Sequence, residues 1–505
     1  MKRKCLAVGI ILLFVGTCVI PSIGQKVNEK PSLSYLTDKT IYVDDDNVQG
    51  PWDGTIEHPF QHIMDAIGVI TNGDTIFVFN GWYNEDINLR YYENLNFNLT
   101  GENKVSTIID GSVDFSFARI RFRINGFSIM GDLQLEAYGY TNDIIIEDNI
   151  FVHGGINIED SYANIIRNNT FYSKPILLEF AKNNVIINNT FYSGGILFGR
   201  FYGKDNWDSH IIESNMINGK PIRYYKNLSN EAVPQDTGQL ILVGCYNFTI
   251  KNLDISNVES GIQVAYSSEN RITNCDIHDG SSNLTSGLPI AAGIKFYHSD
   301  YNTFENSTIT KFNIGIRCSQ IQHYLIFNCS IFYCYEGISL EIPSDIEISQ
   351  NNISFNYLGI NCYHDGFNIN ITLNVISHNT NGISLGGRQI NITKNSIISN
   401  NNGVIISESF FISVKSNNFI QNNKHAYFQF SLIKWSGNYW GRSRTLPYII
   451  SGLRYKHLIA FIIWVLLIYD NPKFDFIPPP RVKESLWFNF DWHPAQEPYD
   501  IPGMR

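Results

Sequence analysis

Asn168-Asn169-Thr170-Phe171-Tyr172-Ser173 returns letter for letter as Asn188-Asn189-Thr190-Phe191-Tyr192-Ser193, which sets a period of 20 residues. Aligning on this pair gives a triplet: an apolar residue at offset 0, Asn or another small or apolar residue at offset 3, and an apolar residue at offset 5. Ile146/Asn149/Phe151, Ile166/Asn169/Phe171 and Ile186/Asn189/Phe191 begin the series. Downstream it continues through Ile212/Asn215/Ile217, Ile250/Leu253/Ile255, Ile272/Cys275/Ile277, Phe304/Ser307/Ile309 and Ile326/Cys329/Ile331. Ile348/Asn351/Ile353, Ile371/Asn374/Ile376, Ile392/Asn395/Ile397 and Val414/Asn417/Phe419 follow, and upstream Phe122/Asn125/Phe127 makes a thirteenth unit.

Gly at offset 11 recurs as Gly261, Gly315, Gly337, Gly359, Gly382 and Gly403, each followed by Ile or Val. Each unit therefore reads as three short strands separated by corners, with alternate side chains turned inward. A single unit cannot bury its own apolar face, so units must stack and share one core. Asn at the corner tolerates left-handed backbone, and its amide can bond its equivalents above and below. The expectation is all-β: a right-handed parallel β-helix of about thirteen coils. Leucine-rich and hexapeptide solenoids lack their signatures here.

The flanks divide the chain. Lys2, Arg3 and Lys4 before the apolar run Cys5 to Ile20 give a signal peptide over 1–24, with 25–40 as linker. Cys18 follows a poor lipid-attachment pattern, Val15-Gly16-Thr17. Residues 41–110 read as an N-terminal cap and first strands, in which Ile63, Ala66, Ile67 and Ile70 form a short amphipathic helix after Pro59. The repeats occupy 111–440; Gly437-Asn438-Tyr439-Trp440 ends their register, and 441–505 is a tail rich in Pro and aromatics. Leu458 to Ile468 is strongly apolar but too short to span a bilayer, so it reads as buried or interfacial and no integral span is expected.

The net charge of −10 is dispersed and no basic patch exists, which excludes nucleic acid as a partner. Six Cys remain after the leader, an even number in an exported chain. Yet Cys275 and Cys329 share offset 3 with the Ser307 coil between them, and Cys318 and Cys362 share offset 14 with Leu340 between them. Two coil spacings, roughly 10 Å, exceed disulfide reach, so these thiols are expected reduced and buried.

Ile41-Tyr-Val-Asp-Asp-Asp-Asn47, the stretch from Gly50 to Ile67, and Gly73 to Ile87 resemble the N-terminal part of the pectate-lyase-like β-helix superfamily, closest to NosD-type and carbohydrate-binding surface β-helices. Gly437-Asn-Tyr-Trp-Gly441 resembles the terminating coil of that group. The resemblance implies the fold and leaves the chemistry open, because the superfamily spans lyases, hydrolases, epimerases, adhesins and non-catalytic modules.

The polygalacturonase-like strings and the Asp-Pro-His-Asp string of polyuronate epimerases are absent. No catalytic, cofactor-binding or metal residue is assigned. Asp44, Asp45, Asp46 and Asp53 are the residues a Ca²⁺ loop would use, though such a run is also an ordinary turn. His278-Asp279-Gly280 and His364-Asp365-Gly366 place a His beside a carboxylate, the pairing acid–base chemistry requires, at what are also ordinary corners. The steps Ile212 to Ile250 and Ile272 to Phe304 are 38 and 32 residues instead of about 22. Both insertions leave at one corner and could wall a groove, with Tyr224, Tyr225, His278 and Asp279 as candidate sugar contacts.

The functional expectation is an exported, extracellular or cell-surface β-helix that binds polysaccharide or cell-surface glycan without catalysis, or has a structural role there. A lyase, hydrolase or epimerase acting on acidic glycans is the alternative, which three carboxylates beside a Lys or Arg on one exposed face would favour. A NosD-like accessory role for a copper enzyme comes last, because the chain has five Met and no Cys-x-x-Cys or His-x-His cluster.

Overall fold

Side chains alternate between the two faces of a strand, which lets each coil turn its triplet positions to one shared interior. The computed structural model describes residues 39–137, 143–199, 203–280, 291–455 and 484–501. The expected leader, most of the expected linker, part of the second insertion (281–290) and Leu458 to Ile468 lie outside them. The described chain is a right-handed parallel β-helix of about 16 turns, against the thirteen expected. Its first face stacks Thr40–Val43, Thr75–Val78, Glu93–Gly101, Arg119–Asn125, Ile144–Glu147, Ile165–Arg167, Val185–Ile187 and Ile211–Glu213 in that order.

Equivalent side chains pile into inward columns. Ile348 pairs with Ile371 and Ile371 with Ile392, and all three are fully buried. Most of the extra turns come from the two ends. Ile41, Ile76 and Leu99 belong to the same column as Ile124 and Ile146, so the stretch read as an N-terminal cap already winds as coils. In the other direction Trp435 pairs with Val414, Asn438 joins the Asn ladder, and Trp440 stacks on Phe419 at 4.4 Å. The stretch expected to end the register is thus one more triplet, Trp435/Asn438/Trp440.

The unit read as Phe122/Asn125/Phe127 sits two residues out of place. Ile146 pairs with Ile124, and Phe151 with Ile129. A two-residue slip keeps every side chain on its own face, so hydrophobicity alone could not detect it.

The Asn-Asn repeat divides two tasks between neighbours. Asp148, Asn168 and Asn188, at offset 2, take the left-handed conformation (φ 54°, 57° and 55°). Asn149, Asn169 and Asn189, at offset 3, point inward and form the ladder: Asn189 Oδ1 accepts from the Asn169 N–H at 3.0 Å and its Nδ2 at 3.1 Å, while Asn189 Nδ2 donates to the Ile166 carbonyl at 2.9 Å. The ladder resumes through Asn351, Asn374, Asn395, Asn417 and Asn438. The recurring glycines are needed for close approach: a Cβ on Gly359 would lie 2.4 Å from the Gly382 carbonyl oxygen.

The helix near the N-terminus is only five residues, Ile63–Ile67, starting four residues after Pro59. Its first N–H groups, from Ile63 and Met64, are accepted by the Glu85 carboxylate at 2.8 and 3.0 Å. None of the six described cysteines is in a disulfide and all are buried, with Leu340 between Cys318 and Cys362 as the spacing predicts.

The first insertion is not a wall. Its residues Lys220–Lys226 pair in parallel with Gln239–Val243, and Ala232 bridges to Thr249, so most of it is a shortened turn within the stack. Ahead of it, the third face is interrupted. Ile196–Phe198 pairs on one edge with Ile176–Glu179. On its other side it meets buried side chains: Gln239 bonds the Ile196 N–H (3.0 Å) and carbonyl (2.9 Å). Gln263 bonds the Phe198 N–H (3.1 Å) and the Ile196 carbonyl (2.8 Å), and Lys295 Nζ donates to the Phe198 carbonyl at 2.7 Å.

Candidate functional site

Tyr224 and Tyr225 lie on Lys220–Lys226, built into the interrupted third face. Tyr224 donates its hydroxyl to the Trp207 carbonyl, and burial pushes its phenol far up. Tyr225 packs on Phe248, centroids 5.5 Å apart. Neither is brought together with His278 and Asp279, which sit on the second face and its following corner. His364 and Asp365 fall in Leu358–Thr372; their side chains are not among those described.

His278 is the centre of a charge cluster. Its Nδ1 is 2.8 Å from Asp279 Oδ2 and its Nε2 3.1 Å from Asp254 Oδ1. Lys220 Nζ reaches Asp254 Oδ2 at 3.1 Å and its carbonyl at 2.6 Å, and Lys311 Nζ reaches Asp279 Oδ1 at 2.7 Å. Asp276, exposed, lies beside Asp254 in the sheet and makes no ion pair among the described residues. Stacking explains the assembly: Asp254 and Asp276 face outward at equivalent positions of successive coils, and Asp279 and Lys311 share the next corner.

Burial works against charge on His278, but the bonds to Asp279 and Asp254 and the nearby Asp276 outweigh it, and its pKa is raised. Lys220 first, then His278, holds Asp254 low; Lys311, then His278, does so for Asp279. Three carboxylates do converge beside two lysines. Two of them are neutralised by permanent partners, which leaves Asp276 as the carboxylate open to solvent.

The same corner, one coil further each time, carries Lys311, Tyr333, Phe355 and His378, all with left-handed backbone that turns the side chain outward. Tyr333 and Phe355 stack at 5.4 Å, Phe355 and His378 at 4.9 Å, and two residues on Tyr335 and Tyr357 stack at 4.8 Å. Tyr333, Tyr335, Phe355 and Tyr357 are each 43–51% exposed. Stacking covers the ring faces, so the strip offers ring edges and three Tyr hydroxyls without protein partners among the described residues. Sequence reasoning missed it because it scored the inward offsets; the signal was an aromatic at offset 7 in consecutive units.

Asp44 and Asp53 serve turns, accepting from the Asp46 N–H (3.1 Å) and from the Thr55 N–H and hydroxyl (2.9 and 2.7 Å), while Asp45 ties two coils together by accepting from the Trp82 N–H (2.8 Å).

Residues 214–457 match the family model described as periplasmic copper-binding protein (NosD), in keeping with the resemblance seen in the sequence. Among curated proteins no sequence matches the chain. Similar solved structures include the A-module of an Azotobacter vinelandii mannuronan C-5 epimerase (11% identity, TM-score 0.23, 73% of this chain and 93% of that one). Others are the pectate lyase Pel9A (12%, 0.22, 81% and 82%) and the Dettilon tailspike protein (12%, 0.33, 70% and 62%).

The donor set does not fit the copper of that family description. The six thiols face the interior, and burial pushes Cys275 up to about 11 and Cys329 and Cys334 up to about 12, far from the thiolate that soft metals take. Among the described residues no three His, Cys, Asp or Glu are placed to hold a metal ion.

Proposed function

We propose that this β-helix is an exported protein that binds a polysaccharide chain along the corner of its second face, over Lys311, Tyr333, Phe355 and His378. The observation that carries the reading is the exposed strip of rings and free Tyr hydroxyls, one step per coil, continuous with the charge cluster. Coils repeat at about 4.8 Å, close to the length of one sugar residue, so a glycan running along the axis would meet an equivalent contact at each step. Ring edges supply apolar contact to sugar C–H groups and the hydroxyls supply directional bonds.

The convergence of Asp254, Asp276 and Asp279 on His278 supports a second reading, chain cleavage or epimerisation of an acidic glycan with Asp276 as the base. Incubating the protein with polyuronates and neutral glycans, with and without Ca²⁺, separates the two. Retention of a glycan without new reducing ends or unsaturated products, and its loss in Tyr333→Ala/Tyr357→Ala, is expected. Turnover that Asp276→Asn abolishes would replace the binding reading with the catalytic one.

A further inference from the structure

The C-terminal strands add a wall to the end of the stack. Tyr448–Tyr455 joins Lys424–Gln429 of the third face in parallel, then pairs antiparallel with Glu484–Asp491. Ser485, Trp487, Asn489 and Asp491 alternate onto one side of that wall, the side on which buried Asp491 accepts from the Gly437 and Asn438 N–H groups (3.0 and 2.8 Å). The last strand of the first face, Ile433–Ser436, lies against Glu484–Asp491 but does not fill the space beside it. A cavity of about 320 Å³ is left there, and its lining includes Phe411, Leu432, Ile433, Lys434, Trp487 and Asn489.

This lining differs from that of a packing fault, which is walled by the ends of core side chains and stays dry. Phe411 stands at the corner ahead of Ile412–Lys415 with left-handed backbone (φ 58°) that turns its ring outward, 75% exposed, and Trp487 on the hairpin side is 40% exposed. Lys434, also exposed, makes no ion pair and the Asn489 amide no hydrogen bond among the described residues, and no lining residue is acidic. Arg454 lies over the Trp487 ring at 3.5 Å and adds a second positive charge at that wall, its buried Nε without a hydrogen-bond partner. In a chain of net charge −10, cations beside two exposed rings mark a place for an anion that also has apolar surface.

We propose that this cavity binds one residue of an acidic sugar, a hexuronate, with its C–H face against Phe411 and Trp487, its carboxylate on the Lys434 ammonium and a hydroxyl on the Asn489 amide. The volume lies at the low end of ligand pockets, which suits a single sugar ring. Positive charge selects the carboxylate over a neutral sugar, and the rings select a sugar over a small anion. The site lies at a different corner from the strip of Tyr333, Phe355 and His378, and it stands whether or not that strip binds glycan.

The test is titration of the protein with galacturonate, glucuronate and mannuronate, with galactose, glucose and mannose as neutral counterparts and acetate as the bare carboxylate, read by saturation-transfer NMR and calorimetry. At least one uronate is expected to bind about tenfold or more tightly than its neutral counterpart and than acetate. Lys434→Met should bring the uronate down to the affinity of the neutral sugar, and because Lys434 is exposed its circular dichroism should match the parent. Phe411→Ala should weaken the uronate and the neutral sugar alike. A parent that binds no uronate, a Lys434→Met variant that binds as the parent does, or acetate that binds as tightly as the uronates overturns the proposal. So does uronate binding that is lost in Tyr333→Ala/Tyr357→Ala and kept in Lys434→Met, because the sugar would then belong to the strip of rings.

Discussion

The short strand Ile196–Phe198 has two differently closed sides, and they show what a β-helix requires. Toward Ile176–Glu179 it is closed by ordinary parallel pairing, which the backbone supplies whatever the side chains are. On the other side the next strand of the face is displaced, and Gln239, Gln263 and Lys295 provide donors and acceptors in its place. Buried backbone groups must be partnered, but the partner need not be backbone. Side-chain closure costs rotamer entropy and depends on individual residues, whereas backbone closure tolerates substitution. The regular stack should therefore be sensitive mainly to lost core volume, and the seam to lost polar atoms.

The largest effect is expected in the regular stack. Ile371→Ala removes a fully buried side chain from the column between Ile348 and Ile392 and should destabilise its coils by about 2–5 kcal/mol, read as faster amide exchange there. Gln263→Leu keeps the volume but leaves the Phe198 N–H without its partner, and should cost about 1–3 kcal/mol. Exchange at the Phe198 amide is the direct readout. If it does not accelerate, the seam is not closed by side chains.

Lys295 sharpens the comparison through pH. Burial, followed by the nearby Arg317 charge, lowers its pKa to about 7 from 10.5. Between those values the unfolded chain binds the proton and the folded one does not. Stability should thus rise with pH across this window and be flat below about 7. Comparing urea midpoints of the parent and Lys295→Met at several pH values isolates this slope, which the variant should lack.

The smallest effect concerns His278. Its pKa is raised, so its stabilising contribution is complete below the unfolded value and is lost as pH rises through the folded one. Its carboxylate partners are exposed, so His278→Gln should change stability by less than about 1 kcal/mol. An NMR titration giving a His278 midpoint below the ordinary histidine value would contradict the cluster geometry.

Much of the candidate site was hidden in one sense and legible in another. Asp254 and Lys311 are 24 and 33 residues from His278, and no local motif joins them. Stacking converts that separation into a one-coil step. The column Tyr333, Phe355 and His378 could have been found by extending the register to offset 7. The grouping of Tyr224 and Tyr225 with His278 could not have been corrected from the register, because the 38-residue step looked like an insertion while most of it forms a shortened turn.

The sequence by itself determined the stacked parallel coils, the inward columns, the Asn ladder and the buried thiols, because all of these depend on periodicity and a periodic chain has few ways to bury its apolar positions. Tertiary structure alone decided the two-residue shift at Ile124, the side-chain seam, and which face carries the charges and the rings. Those depend on where coils break and how far they are displaced. Parity, the sequence's strongest signal, is unchanged by a slip of two residues and cannot register a sideways step of a whole face.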